Sequence, residues 1–153
     1  LGVETIFNKN DNSILLRHIK TEIIDSLSLN LNDTPDIAQT LAVTCFGLGI
    51  HCKLEGLKTL KIKETDRLLA LKTELEKLGA NVTFTEESIT VFRSRKIIEN
   101  ITIETYQDHR MAMAFAPLVL KVPINILEPN VVTKSYTTFW EDLLKIGIKV
   151  QLK

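Results

Sequence analysis

The sequence has no excess of either charge. Lysine plus arginine and aspartate plus glutamate number 19 each in 153 residues, so nothing in the balance points to nucleic acid as a partner. No apolar run approaches the length that a bilayer span needs, and no membrane partner is expected. The start, Leu1-Gly2-Val3-Glu4, lacks a charged stretch followed by an apolar one and so does not read as a signal peptide. It also lacks an initiator methionine, and the expectation is a piece cut from a longer chain. Cysteine is scarce. Cys45 and Cys52 have no C-x-x-C partner, and His51 beside Cys52 has no further ligands at metal-binding spacing. Both cysteines read as core or strand residues in a reducing compartment, His18 and His51 read as surface or strand residues, and no metal site is expected. What remains is 44% hydrophobic and 25% charged, a globular balance in a chain long enough for one domain with a core.

Taken in order, the chain alternates strand and helix patterns. Val3 to Phe7 and Ile14 to Leu16 read as strands around an Asn10-Asp11-Asn12 turn. From Asp25 to Asn30, Leu27 and Leu29 alternate with polar residues, as in a half-buried strand. Pro35 near the first turn opens a helix from Ile37 to Leu48 that is almost wholly apolar or small, hence buried on most sides, with Gly47 and Gly49 ending it. A strand at Ile50 to Leu54 follows. Leu68, Leu71, Leu75 and Leu78 then fall at helical spacing up to Gly79. Strands are expected near 81–85 and 88–92, a polar connection at 93–100 and a short strand at 101–103. Asp108-His109-Arg110 opens a second small-residue helix, Met111 to Leu120. Pro123 to Leu127 reads as a strand, Ser135 to Ile146 as a helix and Ile148 to Leu152 as the last strand.

These pieces repeat. Asp36-Ile37-Ala38-Gln39, Lys63 and Leu78-Gly79-Ala80-Asn81-Val82 have counterparts about 70 residues on in Asp108-His109-Arg110-Met111, Lys134 and Ile146-Gly147-Ile148-Lys149-Val150. Each copy reads strand, buried helix, strand, amphipathic helix, strand, with a further strand closing the first. Leu1 to Phe7 copies the ending of such a unit. The expected fold is therefore an α/β (α+β) domain of βαβαββ-type repeats, at approximately 25–92 and 101–153, with helices inside and sheets outward.

The repeat gives the charges a geometry. Lys61-Ile62-Lys63-Glu64-Thr65-Asp66-Arg67 packs two lysines, an arginine and acids just ahead of an apolar helix pattern. On a helix, Lys63 and Arg67 share a face. A helix N-terminus is electropositive, so two cations there work against it unless an anion sits between them. A solvated charged helix start would use the same residues. His109 taken alone would serve as a capping or core histidine. Asp36, Lys63, Glu64, Arg67, Asp108, His109, Arg110 and Lys134, however, all fall at or beside expected helix starts. If the repeats pack about a pseudo-axis, these starts converge into one anionic-ligand site along an open face. Arg110 can fork onto a carboxylate or phosphate, while a lysine acts as a point charge.

Lys63-Glu64-Thr65-Asp66-Arg67-Leu68, Asp108-His109-Arg110-Met111-Ala112-Met113, Lys134-Ser135-Tyr136 and the Pro35-Asp36 helix start resemble the 5-enolpyruvylshikimate-3-phosphate (EPSP) synthase family, from about Asp25 onward. The resemblance implies an enolpyruvyl transferase-like, inside-out fold. It also implies that residues 1–153 are most of the C-terminal domain of a two-domain enzyme, with its first repeat truncated. It implies transfer of the enolpyruvyl group of phosphoenolpyruvate to the 5-hydroxyl of shikimate 3-phosphate with release of phosphate. That step serves aromatic amino-acid synthesis in the cytoplasm or plastid, and no cofactor is implied. By position, Asp36 would accept the proton at the shikimate hydroxyl, Lys63 would contact shikimate 3-phosphate, and Glu64 would act at the enolpyruvyl methylene. Arg67, Arg110 and Lys134 would grip phosphoenolpyruvate with His109 beside them. Thr59 stands where the family commonly has an asparagine that contacts shikimate, a departure to a shorter side chain. The N-terminal domain of the same chain would supply the rest of the site, so these residues alone would hold half of it and lack activity. Two other readings are the related UDP-N-acetylglucosamine enolpyruvyl transferase, which shares the fold but differs in these motifs, and a non-catalytic anion-binding module.

Overall fold

A computed structural model describes residues 1–20, 24–62 and 66–151. The chain starts with an antiparallel hairpin, β1 (Val3–Asn8) and β2 (Ser13–His18), in which Glu4 faces Arg17 and Phe7 faces Ile14. One face of the hairpin leaves Val3, Phe7, Ile14 and Leu16 exposed.

β3 (Ser26–Asn30) leads to a 3-10 turn at Pro35–Ile37 and into α1 (Ala38–Leu48). Proline at the turn's start costs nothing there, because the first helical amides have no partner in the helix. Gly49 ends α1 at φ 68, with its amide on Phe46 O and the Ile50 amide on Cys45 O, a left-handed cap that favours glycine. Gly47 does not end the helix but lies inside it. A Cβ there would stand 2.9 Å from Leu118 Cδ2, so its missing side chain lets a later segment approach. β4 (His51–Glu55) returns parallel to β3.

A 3-10 turn at Lys58–Ile62 precedes α2 (Arg67–Lys77). The helix begins at Arg67 because Asp66 caps it, accepting from Leu69 N at 3.1 Å. The expected shared helical face of Lys63 and Arg67 depends on Lys63, which with Glu64 and Thr65 lies outside the described residues. α2 buries Leu68, Leu71 and Leu75 and leads to the hairpin β5 (Val82–Phe84) and β6 (Ser88–Val91). The sheet order is β3-β4-β6-β5. Cys52, Leu54, Ile89 and Val91 point inward and are fully buried, while Lys53 points to solvent.

β7 (Ile101–Ile103) and β8 (Ile124–Ile126) form a separate parallel pair. Between them run α3 (His109–Phe115) and a 3-10 turn at Ala116–Leu120. The α-helical ladder gives way there because Pro117 has no amide hydrogen to donate. A 3-10 turn at Pro129–Lys134 leads to α4 (Phe139–Lys145). Two expectations are corrected. The last helix starts at Phe139 rather than Ser135, which leaves Lys134 at the end of a 3-10 turn instead of at a helix start. Residues 148–151 form no strand, since no edge strand equivalent to β6 is present among the described residues to pair with them.

α1 packs on α3, β4 and β6, and one continuous core joins both halves through Phe46, Leu71, Ile103, Met111 and Phe115. The middles of the helices expected at 37–48 and 111–120 are buried, as the patterning predicted, with Ala38, Ala42, Cys45, Phe46, Met111 and Phe115 at 1% exposure or less, while their ends at Ile37, Leu48 and Leu120 are exposed. Cys45 and Cys52 are buried free thiols. No helix among the described residues is long and apolar enough to cross a membrane.

Candidate active site

Three helix starts meet at one charged cluster. Asp36 comes from the turn before α1, Arg67 is the first residue of α2, and Asp108 caps α3 by accepting from Arg110 N at 2.9 Å. Arg67 is 2% exposed and Asp108 is fully buried. Arg67 Nε donates to Asp108 Oδ2 at 2.6 Å, and its Nη1 donates to Asp36 Oδ1 at 2.9 Å. Arg110 reaches the same aspartate from the other side, with Nη2 on Asp36 Oδ2 at 3.1 Å and Nη1 on the Asp36 carbonyl at 3.2 Å. One carboxylate is thus shared by two guanidinium groups, each a planar fork suited to it. Arg110 Nε is buried and has no hydrogen-bond partner among the described residues, so its guanidinium retains donor capacity.

His109 is mostly buried, and its Nδ1 stands 3.9 Å from Asp108 Oδ1, too far for a hydrogen bond. Lys134 is exposed and donates to the Gln107 carbonyl at 2.8 Å, which brings it to the turn just before α3. Thr59 is exposed on the 3-10 turn at Lys58–Ile62, which packs against the turn that carries Asp36. Asp36, Arg67, Arg110, His109 and Lys134 therefore gather around the start of α3, with Thr59 on the turn beside Asp36. The expected sites Lys63 and Glu64 lie outside the described residues. The expectation that the whole set would lie open needs correction for Arg67, which is enclosed because two carboxylates and the α1–α3 contact surround it.

The segment before α3 is held firmly. Tyr106 and Gln107 take positive φ angles of 53 and 56, a costly backbone for residues with side chains. Glu74, buried on α2 two turns beyond Arg67, accepts from Tyr106 Oη at 2.7 Å, from Glu104 N at 3.2 Å and from Lys77 Nζ at 2.8 Å. Burial and then the bond to Glu74 push the Tyr106 hydroxyl's pKa up, so it stays a donor. α2 therefore grips residues 104–108 twice, through Glu74 and through Arg67.

Gln39 was not singled out in the sequence, and Asp108, placed there at a converging helix start, was given no role of its own. Gln39 is fully buried on α1, with Nε2 3.4 Å from Asp108 Oδ2, and Asp108 is the buried end of the Arg67 pair. A signal existed for each. An amide inside an otherwise apolar helix needs a buried partner, and an aspartate before a helix run is a cap with a second oxygen to spare. No group of three or more His, Cys, Asp or Glu able to hold a metal occurs among the described residues.

The EPSP synthase (3-phosphoshikimate 1-carboxyvinyltransferase) family profile matches residues 2–143. A 3-phosphoshikimate 1-carboxyvinyltransferase of Bacteroides fragilis is 43% identical over 99% of this chain and 37% of its own length. One of Neisseria meningitidis is 33% identical over 92% of this chain and 32% of its own length. A solved EPSP synthase structure from Acinetobacter baumannii superposes with a TM-score of 0.76 at 24% identity, over 89% of this chain and 33% of that one, a likeness of fold. The chain thus spans about a third of the length of the relatives it matches, and with a shared fold and the profile match across nearly its whole length, it belongs to the EPSP synthase family.

Proposed function

We propose that the full-length protein transfers the enolpyruvyl group of phosphoenolpyruvate to the 5-hydroxyl of shikimate 3-phosphate and releases phosphate, in cytoplasmic aromatic amino-acid synthesis. The chain described here supplies the C-terminal half of the site, and the rest of the polypeptide supplies the other half. The observation that carries this reading is the convergence of Arg67 and Arg110 on one carboxylate. Two guanidinium forks aimed at one carboxylate suit a small substrate bearing carboxylate and phosphate, which can compete with Asp36 for the same donors. Lys134 adds a point charge from the neighbouring turn, and His109 stands beside them.

The chemistry needs three proton movements, two in an addition and one in an elimination. The attacking hydroxyl loses a proton as its oxygen bonds to the central enolpyruvyl carbon, and the methylene gains one so that this carbon becomes electrophilic. Elimination then removes a proton from the methyl group as the bond to phosphate breaks, restoring the double bond. Asp36 is assigned to the hydroxyl and Glu64 to the methylene. Lys63 and Thr59 are assigned to shikimate 3-phosphate, and Arg67, His109, Arg110 and Lys134 to phosphoenolpyruvate. Carboxylates among cations can divide such roles when one is held protonated and the other ionised.

A coupled phosphate-release assay on the full-length protein tests the reading. Release is expected with phosphoenolpyruvate plus shikimate 3-phosphate and not with UDP-N-acetylglucosamine as acceptor. Release with the nucleotide sugar alone would transfer the assignment to that enzyme class, and release with neither would leave an anion-binding module. The 153 residues by themselves are expected to fold but not to turn over. Catalysis requires both substrates held in line with water excluded, and an open half-site has its cations screened by solvent.

A further inference from the structure

Asp108 is not among the residues assigned above to either substrate, yet it is the best-buried charge in the cluster. We propose that Asp108 is a positioning residue for phosphoenolpyruvate, acting through Arg67. Its carboxylate fixes the plane and reach of the Arg67 guanidinium and sets that group in register with Arg110. The proposal rests on the function proposed above.

A buried ion pair is poor glue. Its desolvation cost commonly cancels its attraction, and apolar side chains of like volume would hold α2 against α3 at least as well. What such a pair supplies is direction. Asp108 Oδ2 takes Nε, the donor on the stem side of the guanidinium, at 2.6 Å. That leaves the outer edge, where Nη1 meets Asp36, pointing into the cluster. The carboxylate cannot swivel freely, because its other oxygen accepts from Arg110 N at 2.9 Å and Gln39 Nε2 stands 3.4 Å from Oδ2. Three helices therefore meet on one carboxylate: Gln39 from α1, Arg67 from α2 and the amide of Arg110 from α3. The same anion that aims Arg67 also caps the helix that carries Arg110. The two forks thus arrive on Asp36 from a common reference, and neither has to be ordered when the ligand enters.

The rival explanation is that Asp108 only caps α3. Serine and asparagine are good caps, so Asp108→Ser keeps an oxygen for the Arg110 amide and removes the anion that holds Arg67. In the full-length protein, Asp108→Ser is expected to raise KM for phosphoenolpyruvate about tenfold or more, with KM for shikimate 3-phosphate unchanged. In the Arg67→Ala background the same change is expected to add nothing, since there is no guanidinium left to aim. A second readout does not depend on turnover. The slowed-exchange Nε–H signal of Arg67 in an arginine-labelled sample, identified by its loss in Arg67→Lys, should vanish in Asp108→Ser. Unchanged KM in Asp108→Ser, equal losses in both backgrounds, or a retained Nε–H signal would each overturn the proposal. If Asp108→Ser does not fold, the near-isosteric Asp108→Asn takes its place, and failure of both would show a structural role and overturn it as well. If the unmodified protein shows no transfer but the Nε–H signal responds, the functional reading falls while the Asp108–Arg67 clamp stands.

Discussion

Residues 25–92 and 101–151 open alike. In each, a strand passes through a buried helix to a parallel neighbour, β3-α1-β4 and then β7-α3-β8. We propose that they are two copies of one unit within a single domain, with boundaries near 25–92 and 101–153. They end differently. α2 leads into the β5–β6 hairpin and completes a four-stranded sheet, whereas α4 leads into residues 148–151, which form no strand. The first copy buries a core of its own. The second leans on it, since Ile103, Met111, Phe115 and Leu118 belong to the core of α1 and α2. The cluster around α4 buries only Ala112, Ala116, Val132 and Phe139. The difference explains where the charged site lies. Asp36, Gln39 and Arg67 come from the self-sufficient copy, Asp108 and Arg110 from the dependent one, and the α1–α3 contact that lends stability to the second also closes the site.

The largest test of this dependence is Phe115→Ala. Phe115 is fully buried at the junction, so its removal should cost about 3–5 kcal/mol in denaturant unfolding. Phe139→Ala, in the small α4 cluster and 8% exposed, should cost less than about 3 kcal/mol. Equal losses would mean that the second copy has a core of comparable weight. Next comes Gly47→Ala. The new Cβ would meet Leu118 Cδ2 at 2.9 Å, and Leu118 is itself buried. Overpacking of ~1–3 kcal/mol should outweigh the ~1 kcal/mol that alanine contributes to a helix over glycine. A stabilised variant would show that the two copies are not in tight contact there.

The smallest effect distinguishes the second helix of each copy. α2 buries a row of leucines, whereas α4 has the small cluster around Phe139 and adds exposed polar contacts to it. Asp142 accepts from Lys145, Thr138 and Tyr136, and these bonds, the lysine's first, hold its pKa down to about 2. An acid with a lowered folded pKa contributes stability above its unfolded value of about 3.9 and loses it as pH falls toward the folded one. Between about pH 4 and pH 2, amide protection should therefore fade in α4 before α2. Asp142→Asn should abolish that pH dependence. Protection lost first from α2 would reverse the comparison.

Much of the first copy was legible because its signals are local. Pro35, the apolar run to Leu48 and the left-handed Gly49 fix α1, and alternation with a short polar turn fixes β5 and β6. The second copy was harder to read for physical reasons. Ser135, Thr137 and Thr138 are all cap-type residues, and which one starts α4 depends on where the preceding 3-10 turn ends. Ile148 to Val150 alternates like a strand, but a ladder needs a partner, and none is present among the described residues. The charged motifs named Arg67, Arg110 and Lys134, which gather around the start of α3, whereas Lys63 lies outside the described residues. The enclosure of Arg67 could not be read, because it depends on the opposing side chains of α1 and α3 rather than on spacing along one helix.

The central claim is that arginines from both copies form one anion site. Calorimetric titration of phosphoenolpyruvate alone into the full-length protein, with shikimate 3-phosphate left out so that no turnover adds heat, tests it for Arg67→Ala and Arg110→Ala. Each change removes charge-assisted contacts of ~1.5–3 kcal/mol, so each should weaken phosphoenolpyruvate binding roughly ten- to a hundredfold. Affinity for shikimate 3-phosphate, titrated alone, should not change. Unaltered phosphoenolpyruvate affinity in either variant would contradict a site shared between the two copies.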